Sequence, residues 1–190
     1  DKSNLERSSS KEFQYFGSSG ELWGTVVHRI FQLYLYRCGN KLKKLPGKDI
    51  IDGIIDRAVD EVKNEVDYSE YKDQLYKTLN NFTNNPDVVR LTEAARILPE
   101  LRFDIKREGD GVPEYVSGII DLLISTNEGV YLMDYKTNIP RGTRDEFINQ
   151  IKDTYRPQLG MYREFLENTM GKTVIGTYLY LTALDKVVEI

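Results

Sequence analysis

Asp121, Asp134 and Lys136 are the residues whose types and spacing most directly suggest chemistry. The stretch "VYLMDYKTN" (130–138) opens as an apolar strand and ends with a carboxylate and an ammonium two positions apart. Side chains alternate along a strand, so Asp134 and Lys136 share the face of Val130 and Leu132. Just upstream, "EYVSGIIDLLIST" sets Asp121 between two apolar runs, and the short "NEG" link implies an antiparallel hairpin. If Asn127 and Glu128 form a two-residue loop, Asp121 faces Asp134 and Ile119 faces Lys136, with opposed Cβ atoms roughly 5 Å apart. A three-residue loop with Gly129 as a bulge would shift the pairing by one. Carboxylates that close repel one another unless a positive charge lies between them. A hard divalent cation such as magnesium or manganese suits oxygen ligands. The plain alternative is an Asp134–Lys136 ion pair with Asp121 facing solvent. Against it stands the cost of embedding two carboxylates in core-like strands without a partner.

Three more residues carry chemistry. The only histidine, His28, sits in an amphipathic helical stretch, one turn after Gly24. Glycine inside a helix costs about 1 kcal/mol relative to alanine, so Gly24 invites an explanation, and room beside the imidazole is one. Further on, Gln158 and Tyr162 share a helix face, with Tyr155 close to it. The ordinary alternatives are a half-exposed histidine and a tyrosine packed on a sheet.

The first half reads as helical. Ser18 and Glu21 fit a capping box ahead of "ELWGTVVHRIFQLYLYRCGN", where Leu22, Val26, Ile30 and Leu33 recur at helical spacing and Gly39-Asn40 is a stop. After a lysine-rich loop, a second helix is expected from about Lys48 to Val66, with a stripe of Ile51, Ile55, Ala58, Val59 and Val62. Ser69 is expected to cap a third helix bearing Leu75, Leu79 and Phe82, and a short fourth to span Asp87 to Arg96. The second half alternates. Strands are expected at "ILPELRFDIKRE", "EYVSGIIDLLIST" and "VYLMDYKT", the first two joined by the turn "GDGVP". A helix from about Thr143 to Met170 follows, broken near Pro157 because proline suits a first turn better than an interior. "TVIGTYLYLTA" and "KVVEI" complete the strands. This order implies an α/β or α+β sandwich.

Composition narrows the classes. With 190 residues the chain suits one domain, expected over 18–190 behind a polar, flexible lead-in at 1–17. No apolar run reaches the ~20 residues of a membrane span, and the start lacks a signal-peptide core. The lone Cys38 excludes an intrachain disulfide and a cysteine-ligated zinc or iron–sulfur site, and points to the cytoplasm. A net charge of −4 argues against gripping nucleic acid by bulk charge. Basic groups at Lys41, Lys43, Lys44 and Lys48, at Arg102, Lys106 and Arg107, and at Arg141 and Arg144 read as solvated faces. No G-x-x-x-x-G-K-[ST] loop is present, so the chain contains no nucleotide-driven motor.

Four motifs occur in order: G-x-x-x-H at Gly24–His28, "GIID" at 118–121, "DYKT" at 134–137, and Q-x-x-x-Y at Gln158–Tyr162. This set resembles the PD-(D/E)XK nuclease superfamily, in particular the C-terminal nuclease domain of RecB/AddA-type helicase–nucleases, over roughly Ser18 to Leu181. The resemblance implies a restriction-endonuclease-like α/β sandwich, with a central mixed sheet flanked by helices and an N-terminal helical lobe. It implies metal ligands at His28, Asp121 and Asp134, and catalytic roles for Asp121, Asp134, Lys136, Gln158 and Tyr162. Lys136 would stand beside the attacking water; Gln158 and Tyr162 would support the site and contact the DNA backbone. Glu100 matches a glutamate that precedes the first strand in this family, although an ordinary solvent-exposed residue is an equal reading. The implied activity is a magnesium-dependent deoxyribonuclease, of exonuclease type, with manganese as substitute and no iron–sulfur cluster. The implied partners are DNA, as single-stranded ends, and a helicase domain in the same chain or in a separate partner protein, acting in double-strand break repair and recombination without a membrane. Two other readings are a catalytically inactive DNA-binding or scaffold module of such a complex, and an unrelated α/β domain with a surface ion pair. A structure with His28 more than ~10 Å from both aspartates would establish the last.

Overall fold

The computed structural model describes residues 20–39, 46–64, 67–93, 95–108 and 113–190. The expected lead-in at 1–17, the Ser18 cap, Asn40, Lys41, Lys43, Lys44 and residues 109–112 of the first hairpin turn lie outside them.

Four helices come first: α1 (Gly20–Cys38), α2 (Lys48–Asp60), α3 (Lys72–Asn84) and α4 (Pro86–Thr92). Helix α2 stops at Asp60, short of the expected Val66, and residues 61–64 are turns. Ser69 does not cap α3: Ser69–Tyr71 form a 3-10 turn that leads into it. Helix α4 ends at Thr92 and is capped by Asn85, whose side chain accepts from the Asp87 and Val88 amides, with Pro86 in the first turn.

The strands are β1 (Arg96–Glu108), β2 (Pro113–Ser125), β3 (Val130–Lys136), β4 (Val174–Leu181) and β5 (Lys186–Glu189). They form one sheet in sequence order, antiparallel except where β4 runs parallel to β3. The parallel step needs a long crossover, supplied by α5 (Arg144–Glu164) and a π turn (Phe165–Thr169). Helix α5 begins in a full Thr143–Glu146 capping box and runs unbroken through Pro157, contrary to the expected break. Proline frees the carbonyl four residues back, at Asp153. Both Pro157 and Asp153 are exposed, so the lost bond falls on the solvent side of the helix, which continues.

The sheet separates two apolar layers. On one side Val26, Ile30, Phe31 and Tyr34 of α1, with α2–α4, pack on Leu122, Ile124, Met133, Tyr135 and Tyr180. Phe31 stacks on Phe82 with ring centroids 4.2 Å apart, and both meet Tyr135 edge-on. On the other side α5 covers Phe103, Ile120, Leu123, Leu132 and Leu179. The result is the expected mixed sheet flanked by helices, with the helical lobe on one face. Gly118 makes the second layer fit: a Cβ there would lie 2.5 Å from Phe103 Cζ and 3.1 Å from Tyr162 Cε1.

Asn85 also fastens the helical lobe to the far end of the sheet. Its amide donates to the Asp185 carbonyl (3.0 Å) and to Asp185 Oδ1 (2.9 Å), which also accepts from Tyr180 Oη. Asn85→Ala removes the α4 cap and this link together, so the urea midpoint is expected to fall by the equivalent of about 2 kcal/mol with an unchanged denaturant slope.

Candidate functional site

The β2–β3 hairpin explains how charge is brought together. The register pairs Leu122 with Met133 through to Ser125 with Val130, as the two-residue-loop reading expects. The ladder then stops. Asp121 and Asp134 are not a ladder pair, nor are Ile119 and Lys136, so the expected face-to-face opposition is corrected. Instead Asp121 Oδ2 accepts the Tyr135 amide at 2.7 Å, taking the place of a strand carbonyl. Side-chain alternation in β2 also breaks here. Ile120 belongs to the α5-side core, while Leu122, of the same parity, belongs to the other. Across from Asp121, between the ladder pairs Pro99–Leu122 and Leu101–Ile120, Glu100 adopts a left-handed φ of 55°. A non-glycine residue held there is strained and needs surroundings that fix it.

His28 reaches this opening from α1. Its Nε2 donates to the Tyr135 carbonyl at 3.0 Å, and its Nδ1 lies 3.2 Å from Asp121 Oδ1. Asp121 thus holds the Tyr135 amide and meets the imidazole that holds the Tyr135 carbonyl. Ligand atoms of His28, Glu100 and Asp121 all lie within 4.8 Å of one another. Glu100 is half-buried in this group, so the solvent-exposed reading of it is corrected. Asp121 and Asp134 are 6% and 2% exposed, so the alternative with Asp121 in solvent is also corrected. The distant His28 that would have established the unrelated-domain reading is not found: its Nδ1 lies 3.2 Å from Asp121.

Asp134 stands beside that triple and faces Lys136. The ammonium forms a buried ion pair with Asp134 Oδ2 at 2.6 Å. Lys136 Nζ also donates to Gln158 Oε1 at 3.3 Å, and Gln158 Nε2 donates to Tyr162 Oη at 2.5 Å. Tyr162 is 3% exposed and meets Phe103 edge-on, so it supports Gln158 from beneath. Tyr155 lays its ring on the ammonium, 3.7 Å from Nζ to the centroid. His28 and Lys136 open onto a cleft of about 660 Å³ that is also bordered by Thr137, Asn138, Arg141 and Tyr155.

Gly24 serves a different neighbour from the one expected. A Cβ there would come 3.1 Å from Thr137 Oγ1, so the glycine lets α1 approach the end of the "DYKT" segment rather than clearing space for the imidazole. Sequence reasoning left Glu100 unassigned and gave Tyr155 no role. The signal for Glu100 was a charge between Pro99 and Leu101 facing the equally misplaced Asp121; for Tyr155 it was the helical spacing to Gln158.

Charge and burial oppose each other throughout the site. Burial, then the nearby Asp121 charge, push Asp134 up to about 6 despite Lys136. Burial and Asp121 likewise raise Glu100. Burial opposes the charged form of His28, but the bond to Asp121 and the charges of Asp121, Asp134 and Glu100 prevail and raise it. Burial lifts Tyr162 to about 12, so it stays a neutral phenol. One imidazole nitrogen and two carboxylate oxygens, from His28, Glu100 and Asp121, form a donor set that fits a divalent cation.

A sequence model of the PD-(D/E)XK nuclease superfamily matches residues 9–187. The chain belongs to the PD-(D/E)XK nuclease superfamily. Its five-stranded mixed sheet between helices agrees with the restriction-endonuclease-like fold. It is 31% identical over 168 residues, 83% of its length, to the AddA subunit of the ATP-dependent helicase/nuclease of Staphylococcus epidermidis. The identity is 29% over the same share for the corresponding protein of Staphylococcus aureus strain MRSA252. With that of Anoxybacillus flavithermus it is 34% over 99 residues, 52% of the chain and 8% of the relative. The chain spans only 13% of the length of the two staphylococcal proteins. Among the described residues no helix is long and apolar enough to cross a membrane.

A carboxyl group with a raised folded-state pKa stabilises the fold while protonated, below the unfolded value of 3.8, and loses that contribution as pH rises through about 6. Asp134→Asn is therefore expected to melt higher than the parent in EDTA at pH 7.5. The difference should shrink as pH falls from 6 towards 4, as read by thermal melts across pH.

Proposed function

We propose that the domain is a magnesium-dependent deoxyribonuclease, of exonuclease type, which hydrolyses phosphodiester bonds at single-stranded DNA ends. It would be the nuclease part of a helicase–nuclease acting in double-strand break repair and recombination, in the cytoplasm. One observation carries the reading: His28, Glu100 and Asp121 converge within 4.8 Å beside the Asp134–Lys136 pair, at the edge of an open cleft. The family membership and the names of the relatives support it. The motor would lie elsewhere in the same polypeptide or in a partner protein, because these residues contain no phosphate-binding loop.

His28, Asp121 and Asp134 would hold magnesium, or manganese in its place; of these His28 and Asp121 converge with Glu100, and Asp134 lies close enough to feel the charges of Asp121 and His28. Such an ion, when bound, lowers the pKa of a coordinated water and offsets charge on the phosphate. The protein's own groups do the rest. The Tyr135 carbonyl fixes Nε2 of His28 as a donor, so Nδ1 donates to Asp121 when the ring is protonated and is the nitrogen left to offer a lone pair to an ion when it is not. Lys136, held by Gln158 on buried Tyr162, presents a cation that can orient the attacking water or receive developing negative charge. An iron–sulfur cluster has no place in this scheme, since Cys38 is the only cysteine.

Linear single-stranded DNA is expected to be degraded with magnesium and to survive in EDTA. Asp121→Asn and Lys136→Ala should each lower the rate by about 10³-fold or more without loss of fold by circular dichroism. Cleavage by Lys136→Ala at the parent rate would sink the mechanism. DNA binding without degradation in magnesium would instead support the inactive scaffold module.

A further inference from the structure

We propose that Tyr155 is the positioning residue for Lys136, fixing the direction of its ammonium through the face of the phenol ring. The inference rests on the nuclease reading of the site and adds a residue outside its four motifs.

Lysine is a poor residue for fixed geometry: its charge rides on a four-carbon stem with free rotation about each bond. Fixing it requires partners on several sides. Here the ammonium, with three N–H groups, has three neighbours. They are Asp134 Oδ2 at 2.6 Å, Gln158 Oε1 at 3.3 Å and the Tyr155 ring at 3.7 Å from its centroid. The Asp134 ion pair holds the ammonium from one side and the Gln158 bond is long, so these two contacts leave the ammonium open on its remaining side. The ring supplies the third constraint. The negative face of an aromatic attracts a cation, most strongly where water is excluded, and the Lys136 side chain is only 12% exposed.

Tyr155 is itself well anchored. It packs against the α5-side core, and its hydroxyl donates to Asn138 Oδ1 at 3.3 Å. It lies one turn before Gln158 on α5, so one uninterrupted stretch of helix carries two of the three neighbours of Nζ. Continuity through Pro157 is therefore part of the device: a break there would separate the ring from the amide. The two parts of the Tyr155 side chain also divide the work. The ring face meets the ammonium, and the hydroxyl meets the segment that borders the cleft.

That division makes the proposal testable with two variants of the whole domain. Tyr155→Phe keeps the face and loses the hydroxyl; Tyr155→Leu keeps apolar bulk and loses the face. With magnesium and saturating single-stranded DNA, kcat is expected to fall by about 5- to 30-fold in Tyr155→Leu, with KM within about twofold. Tyr155→Phe should restore kcat to within about twofold of the parent. A second readout needs no catalysis. The ε-methylene protons of Lys136 should be shifted upfield by the ring current in the parent and in Tyr155→Phe, and lie at ordinary positions in Tyr155→Leu. Unchanged kcat in Tyr155→Leu of an active parent overturns the proposal. So does an unchanged ε-methylene shift in Tyr155→Leu, whatever the activity. A parent that cleaves no DNA instead refutes the nuclease reading, and the proton shifts still decide whether Tyr155 fixes Lys136.

Discussion

One hydrogen bond underlies the site: the Tyr135 amide donating to Asp121 Oδ2 at 2.7 Å. Strands that part inside a folded domain expose backbone groups that must find other partners. Asp121 supplies one from its side chain, and His28 supplies another by donating to the Tyr135 carbonyl. With both Tyr135 peptide groups satisfied, β2 and β3 can separate beyond Leu122 and Met133 while β3 continues alongside β4 as far as Lys136. The opening receives the imidazole and Glu100. The same carboxylate that lets the sheet open is thus the centre of the charged cluster, which joins the architecture to the chemistry in one residue.

The two faces of the sheet divide the labour. The helical lobe brings His28, held by an apolar stripe that packs Phe31 against Phe82 and Tyr135. Helix α5, on the other face, brings Gln158, Tyr162 and Tyr155 to Lys136. Neither layer holds a complete set, and the strand ends between them present the carboxylates. Desolvation is the cost of this arrangement, visible in the raised pKa values of Asp134 and Glu100. Lys136 offsets part of it from within the chain, and the same carboxylates raise His28 against its burial.

Much of this could be read from residue order alone, because the strongest signals were charges where apolar side chains belong. Asp121 between "GII" and "LLI", and Asp134 after "VYLM", mark the site, and of the two hairpin registers the turn allows, the structure takes the two-residue loop. What escaped depended on three-dimensional context. The left-handed backbone of Glu100 has no local sequence mark, since propensity opposes it, and only its neighbours hold it there. The end of the β2–β3 ladder follows from a side chain replacing a main-chain acceptor, which periodicity does not encode. Proline propensity predicts an interruption at Pro157, but its position on the exposed side of α5 lets the helix continue. The cost of Gly24 is legible in the sequence, but the reason for it, Thr137, lies more than a hundred residues away.

That same separation governs how the molecule comes into being. The His28–Tyr135 contact spans 107 residues and the Asn85–Asp185 link 100. Contacts so distant along the chain close large loops and pay that entropy before they return any stability, which places them late in folding. Helices α1–α4 can form from local contacts, and so can the β1–β3 meander, but neither contains both the imidazole and the carboxylates. A chain still emerging from the ribosome, or one with its lobe undocked, therefore has the parts of the centre without the centre. Assembly of the charged cluster is tied to completion of the tertiary structure, so this geometry serves as its own signal that folding has finished.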